Sequence, residues 1–121
     1  MGAWSYEVLS NDRALDTMWD LVDSKNLKED IIKLLENGGT DEKVLACEIV
    51  DISISGVDEE ILGGLYDEYE EFFEKIQNNP MTDLRLKAFG IIGYVQEHDG
   101  GWIDEVKEQR ADLLRKIRER L

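Results

Sequence analysis

The stretch TDEKVLACEIVDISIS, residues 40–55, decides how the rest of the chain must be arranged. Wound at about 100° per residue, it is apolar on almost every side. After its first turn only Glu48, Asp51 and Ser53 interrupt the apolar surface. A helix that is apolar around most of its circumference is normally buried between several neighbours. We therefore predict a central helix over residues 40–55, with the other elements packed around it.

Both ends of this segment carry residues typical of helix boundaries. Thr40 is the expected N-cap, and Asp41 follows in the first turn, where the helix dipole favours acids. Gly56 is the expected stop. Residues 50–55 also alternate with period two, which would fit a strand. A lone strand cannot satisfy its hydrogen bonds, and no partner strand is evident in the sequence, so the helix is favoured.

Other segments repeat apolar residues every three to four positions, which predicts further amphipathic helices. Glycine, asparagine and proline separate them. The predicted fold is all-α: a single-domain bundle of five or six helices, spanning residues 1–121, around the central helix. An N-terminal arm over the first ten residues is expected to pack through Trp4. The further helices are predicted at about 11–22, 27–36, 58–77, 82–98 and 103–121, with a break at Gly63-Gly64 left open.

The apolar stripes of these helices predict which side chains are buried. In the first helix they are Ala14, Leu15, Met18, Trp19 and Val22. In the helix over 82–98 they are Leu84, Ala88, Phe89, Ile91, Ile92 and Val95.

Length and composition indicate one soluble, cytoplasmic domain. A chain of 121 residues is long enough for one hydrophobic core. The single cysteine, Cys47, excludes an internal disulfide and fits a reducing compartment. No apolar run approaches the roughly 18 residues that a membrane span requires. Residues 1–6 lack the basic and apolar regions of a signal peptide, so no secretion signal is predicted.

Charge is the feature that bears most on function. The net charge is −14, and it is placed unevenly. Residues 1–78 carry 20 acidic and 6 basic side chains, whereas residues 79–121 carry 8 of each. Such a field repels nucleic acid and anionic membranes and attracts cationic surfaces. We expect a basic protein partner, no direct binding of nucleic acid and no membrane association; the alternative is that the acidity serves only solubility.

The acids recur at helical spacing, which places several of them on common faces. In the first helix Asp12, Asp16, Asp20 and Asp23 share one edge. Like charges at that spacing repel each other. The edge is therefore either a tolerated solvated face or a surface kept for a cation or a basic partner. The candidate partner-binding residues are Asp16 and Asp20 of the first helix and Glu60, Asp67, Glu71 and Glu74 of the helix over 58–77.

No catalytic constellation is found in the sequence. The one histidine, His98, stands between two acids, and a metal site needs more ligands at set spacings. Cys47 lies in the most apolar helix and has no local base, so it is expected to be a buried core thiol. The Gly-Gly pairs lack the strand and the Lys-Ser/Thr of a phosphate-binding loop. No catalytic residue, cofactor or metal is predicted.

The N-terminus carries a resemblance to a known family. Met1-Gly2-Ala3-Trp4, then Asn11-Asp12, Ala14 and Asp16, resemble the opening of small acidic bacterial proteins classed only as a domain of unknown function. Members of that family typically begin Met-Gly-Ala-Trp-Gly and carry Asn-Asp and Ala-x-Asp soon after. The chain departs from the pattern at Ser5 and at Glu7-Val8. The resemblance implies a bacterial helical domain and no particular mechanism.

Three hypotheses of function follow from these observations. The first is a non-catalytic binding protein whose acidic surface engages a basic partner, in the manner of an immunity protein or antitoxin. The second is a nucleic-acid mimic that occupies a DNA- or RNA-binding cleft. The third is a metal-dependent enzyme that uses the acidic edge of the first helix, which the missing histidines and nucleophiles disfavour. The oligomeric state is left open.

Overall fold

A computed structural model describes residues 12–57, 69–98 and 104–121, with side chains for 16–57, 69–98 and 107–121. These ranges contain helices and short connections and no β-strand. The predicted all-α bundle is therefore confirmed. The arm with Trp4 and the pair Gly63-Gly64 lie outside the described residues. The helices are α1 (Asp12–Val22), α2 (Leu27–Asn37), α3 (Thr40–Ser55), α4 (Glu70–Gln77), α5 (Arg85–His98) and α6 (Asp104–Arg120), with a 3-10 turn at Thr82–Leu84 before α5.

Helix α3 is the centre of the bundle, as its sequence predicts. Every residue from Val44 to Ser53 is buried, including the three polar ones. The helix packs against α1, α2, α4, α5 and α6. Its apolar neighbours in the core include Met18, Leu21, Ile31, Leu35, Phe73, Ile76, Ala88, Ile92, Leu114 and Ile117.

The two ends of α3 differ in how well they were predicted. The N-cap is Gly39 rather than Thr40, because Glu42 reaches back to Gly39. The Oε1 atom of Glu42 accepts a hydrogen bond from the Gly39 N–H at 3.1 Å, which is the carboxylate half of a capping box. Gly56 ends the helix as predicted, with φ 88° and its N–H donated to the Ile52 carbonyl at 2.9 Å. Positive φ suits glycine because it has no Cβ.

Gly38 is needed for space rather than for a left-handed backbone. Its φ is −71°, in the extended region that any residue adopts. A Cβ added there would lie 2.6 Å from the Leu34 carbonyl oxygen and 3.0 Å from the Glu42 Cβ. The close approach of α2 to the start of α3 therefore requires glycine.

We expect Gly38→Ala to lower the free energy of unfolding by about 1–3 kcal/mol, because the added methyl group has no room against backbone atoms. The matched control is Gly90→Ala in α5, where an added Cβ has no atom within 4 Å. That change should stabilise the protein by about 0.5–1 kcal/mol, since alanine favours a helix over glycine. Urea denaturation measures both. Equal effects of the two substitutions would contradict the steric account.

Helices α1 and α5 each expose apolar residues at the margin of their predicted stripes. Among the side chains of α1 that the structure describes, which begin at Asp16, Met18 and Leu21 are buried, while Trp19 is 67% exposed and Val22 is also exposed. In α5 Phe89 is exposed as well. The sequence prediction was wrong at Trp19, Val22 and Phe89. An apolar stripe can be wider than the surface that its neighbours cover, so periodicity identifies the face and not its edges.

Helix α6 runs parallel to α3 and is held to it near both ends. The Arg110 guanidinium lies 3.6 Å from the Asp41 carboxylate, and Arg120 Nε donates to Asp51 Oδ2 at 2.7 Å. Asp51 lies ten residues after Asp41 on α3, and Arg120 lies ten residues after Arg110 on α6, which is a rise of about 15 Å in each helix. The two ion pairs therefore keep the helices in register. The Arg120 guanidinium also donates to the Gly56 carbonyl. These contacts fix α6 over the polar side of α3.

Candidate functional site

The outward face of α1 combines an exposed indole with carboxylates. Asp16 lies three residues before Trp19, so these two side chains share one side of the helix, and Asp23 is the first residue after α1, four positions beyond Trp19. Asp20 lies on the next position around the helix. All four side chains are exposed to solvent. The structure thus presents Asp16 and Asp20, two of the candidate residues, beside a large apolar group that sequence reasoning had assigned to the core.

Helix α4 presents a second acidic face. Glu71 and Glu74 are exposed, while Phe73 and Ile76 on the opposite side are buried against α3. The amphipathic pattern of this helix therefore placed both candidate acids correctly on the outside. The other two candidates, Glu60 and Asp67, lie outside the described residues. Of the six predicted site residues, the structure describes Asp16, Asp20, Glu71 and Glu74.

A groove of about 600 Å³ lies between the α1–α2 connection with the start of α2 and the end of α4 with the segment after it. Three lysines line this groove, which we call the lysine groove. None of its described lining residues is acidic. In the sequence, Asp23 directly precedes the residues of one wall, and Glu74 directly precedes those of the other. The described lining consists of Ser24, Lys25, Asn26, Leu27 and Lys28 on one side and Lys75, Ile76, Asn78, Asn79, Pro80 and Met81 on the other.

One groove lysine already has a carboxylate partner. Lys28 forms an ion pair with Asp83, which lies in the 3-10 turn before α5. The hydrogen bond from the Lys28 ammonium lowers the pKa of Asp83, so this carboxylate is ionised at neutral pH. Sequence reasoning missed the groove, since no local pattern shows that its two walls meet. Half of the six basic residues in positions 1–78 line it.

The interior holds charged groups that the sequence analysis treated only as interruptions. Glu48 and Asp51 are fully buried in α3, and Arg110 is 2% exposed. Burial of charge is costly unless the group is paired, and Asp51 is paired with Arg120. Asp51 and Arg110 join α3 to α6 through the ion pairs already described, and all three buried groups are closed to a large partner. Because these groups are buried inside the bundle, we infer a structural role for them.

Cys47 and His98 have structural surroundings. The Cys47 thiol is buried and donates to the Ala88 carbonyl at 3.4 Å. Burial, with the neighbouring Glu48 carboxylate adding to it, raises the pKa of the Cys47 thiol far above its usual range. The thiol therefore stays neutral and is a poor nucleophile. His98 lies at the exposed end of α5, with Nδ1 2.9 Å from the Tyr94 carbonyl and its ring stacked on Tyr94 at 4.1 Å.

The described ranges hold neither a metal-binding cluster nor a membrane-spanning helix. No group of three or more His, Cys, Asp or Glu side chains in the part of the chain that the structure describes is arranged to hold a metal ion. No helix within those same ranges is long and apolar enough to cross a membrane.

Comparison with known proteins places the chain in a family. The model of one family, described as a domain of unknown function (DUF4259), matches residues 2–120. The comparisons with curated proteins and with solved structures each gave no significant match. The match covers nearly all of the chain, from residue 2 to the last residue of α6. The chain therefore belongs to the DUF4259 family.

Proposed function

We propose that this protein is a non-catalytic binding protein that captures a basic partner protein through the acidic surface of α1, in the manner of an immunity protein or antitoxin. The opening motif supports a bacterial setting for this role. The observation that carries the proposal is the exposure of Trp19 between Asp16 and Asp23.

Trp19 supplies what an acidic surface alone lacks, which is apolar area at a defined point. An indole that is 67% exposed leaves a large apolar surface in water, and burial of that surface favours association. Tryptophan is enriched among the residues that carry most of the binding energy of interfaces. Its ring face also attracts lysine and arginine by a cation–π interaction. A basic partner could therefore use both the ring and the carboxylates beside it.

The carboxylates would act mainly on encounter and on selection. Opposite charge steers a basic partner toward α1 and raises the association rate, and salt screens this effect. Asp16, Asp20 and Asp23 repel one another in the free protein, so a bound cation relieves that repulsion. Glu71 and Glu74 on α4 enlarge the negative field.

The test begins with a partner isolated from the native host and purified. The triple reversal Asp16→Lys, Asp20→Lys and Asp23→Lys should weaken its binding at least about 100-fold, mostly through slower association. Trp19→Ala should weaken binding about 30-fold, mostly through faster dissociation, since a central aromatic anchor contributes about 2 kcal/mol. Surface plasmon resonance over a salt series measures both rates.

The control is the triple reversal Glu97→Lys, Glu108→Lys and Asp112→Lys on α5 and α6. It changes the net charge by the same amount, and all three side chains are exposed in the electrically balanced part of the chain. Equal weakening by both triples would mean that bulk charge and no particular site attracts the partner. Full displacement of the protein from its partner by duplex DNA, with no effect of Trp19→Ala, would favour the nucleic-acid mimic instead.

A further inference from the structure

We propose that the lysine groove is a binding site for a compact phosphate-bearing molecule, such as a small phosphate ester. The site lies between the α1–α2 connection and the end of α4. It is separate from the Trp19 face of α1, and its ligand would have a charge of the opposite sign to the partner proposed for that face.

The clustering of basic side chains at the groove supports this proposal. The chain has a net charge of −14, and residues 1–78 hold only six basic side chains. Three of these six line one cavity, and they come from separate stretches of the chain: Lys25 from the α1–α2 connection, Lys28 from the start of α2 and Lys75 from α4. Like charges brought together repel one another in the empty protein, whereas a bound anion turns that repulsion into attraction.

The side chains that line the groove supply groups suited to a phosphate ester. Lysine is a compact point charge with three donors and a common phosphate binder. The amides of Asn26, Asn78 and Asn79 add donors and acceptors for hydroxyl groups, and the buried Ile76 and Met81 form an apolar floor. A volume of about 600 Å³ lies within the usual range of about 300–1,000 Å³ for small-molecule sites.

The acidic residues next to the groove residues limit the size of the ligand. In the sequence, Asp23 comes directly before one wall of the groove and Glu74 directly before the other, and Glu71 lies one helical turn before Lys75 on α4. An extended polyanion that filled the groove would run onto these carboxylates and be repelled. A compact dianion stays close to the lysines and avoids them. The groove therefore selects a small phosphate ester over nucleic acid or an acidic peptide.

The Asp83 carboxylate offsets part of the positive charge of the lysine groove. Its carboxylate holds Lys28 in an ion pair, although both side chains are more than half exposed. An incoming phosphate competes with Asp83 for this ammonium. Removal of the Asp83 charge should therefore improve binding, a result that a merely structural role of the lysines does not predict.

The test is a titration of the full-length protein, followed by NMR chemical shifts in low salt. The probes are inorganic phosphate, pyrophosphate and glucose 6-phosphate, with glucose and a hexaglutamate peptide as comparison ligands. We expect saturable binding of glucose 6-phosphate with a dissociation constant of about 1 mM or below, centred on Lys25 to Lys28 and Asn78 to Met81. Glucose and hexaglutamate should bind at least about tenfold more weakly.

Three variants make the result specific. Lys25→Gln with Lys75→Gln should weaken phosphate-ester binding about tenfold or more, because two of the three cations are lost. Asp83→Asn should tighten it about two- to fivefold by releasing Lys28. The charge-matched control is Lys33→Gln with Lys107→Gln, two exposed lysines away from the groove, and it should change binding less than about twofold.

Several outcomes would overturn the proposal. One is no saturable binding of any phosphate probe below about 10 mM, with the protein shown to be folded by circular dichroism. Another is equal weakening by the groove pair and by the control pair, which would reduce the effect to bulk charge. Preferred binding of hexaglutamate would make the groove a peptide site. None of these outcomes depends on whether the α1 surface binds a protein.

Discussion

Replacement of Val50 by aspartate should unfold the protein or lower its free energy of unfolding by at least about 4 kcal/mol. Val50 is fully buried at the middle of α3, the helix that every other described helix contacts. The substitution removes about 1.5–3 kcal/mol of apolar burial and places a carboxylate among apolar side chains. Natural domains are stable by only about 5–15 kcal/mol, so one such change can exhaust the margin.

The matched control for this experiment is Val22→Asp in α1. The chemical change is the same, but Val22 is exposed and its aspartate would remain in water. We expect a cost of less than about 1 kcal/mol, mostly from repulsion by the neighbouring aspartates. Circular dichroism during urea denaturation measures both variants. A Val50→Asp protein that unfolds at the same urea concentration as the wild type would show that α3 is not the centre of the core.

The second large effect is expected from Arg120→Met at the end of α6. Arg120 Nε donates to Asp51 Oδ2 at 2.7 Å, and the Asp51 side chain is fully buried. Methionine keeps most of the volume but removes the charge, so the Asp51 carboxylate stays buried without its arginine. Removal of one partner of a buried pair costs about 3–5 kcal/mol, and the partial exposure of Arg120 places the expected loss near about 3 kcal/mol.

Arg115→Met on the same helix is the control. Arg115 pairs with Asp112 at 2.9 Å, but both side chains are more than half exposed, so the loss should stay below about 1 kcal/mol. The double variant Asp51→Leu with Arg120→Met tests the cause, because it removes both charges. It should recover part of the stability that Arg120→Met alone loses. A double variant less stable than the sum of the two single changes would contradict the ion-pair account.

Periodicity predicted the architecture well because the core of this fold depends on patterns that a sequence carries locally. The apolar circumference of residues 40–55 implied neighbours on all sides, and the structure supplies five helices there. Periodicity was less informative at the edges of faces. Trp19 and Phe89 are apolar residues at stripe margins, and only the positions of neighbouring helices decide that both are exposed.

The candidate site was predictable only in part, for a related reason. The outward position of Asp16, Asp20, Glu71 and Glu74 followed from helix faces alone. The lysine groove joins residues 24–28 to residues 75–81, and no local pattern reports that these segments meet. Likewise, Asp51 read as an interruption of an apolar helix, because its arginine stands far along the sequence. Long-range pairing of charges is a property of the fold rather than of any segment.

The two ion pairs between α3 and α6 also bear on the order in which the chain folds. Asp51 and Arg120 are 69 positions apart, and so are Asp41 and Arg110. Closing loops of that length costs more entropy than closing the short turns between adjacent helices. Each helical hairpin can form early, whereas the polar side of α3 stays hydrated until α6 docks along it. Docking of α6 has to bridge 69 positions and to desolvate buried charge, so we expect it to be a slow step of folding.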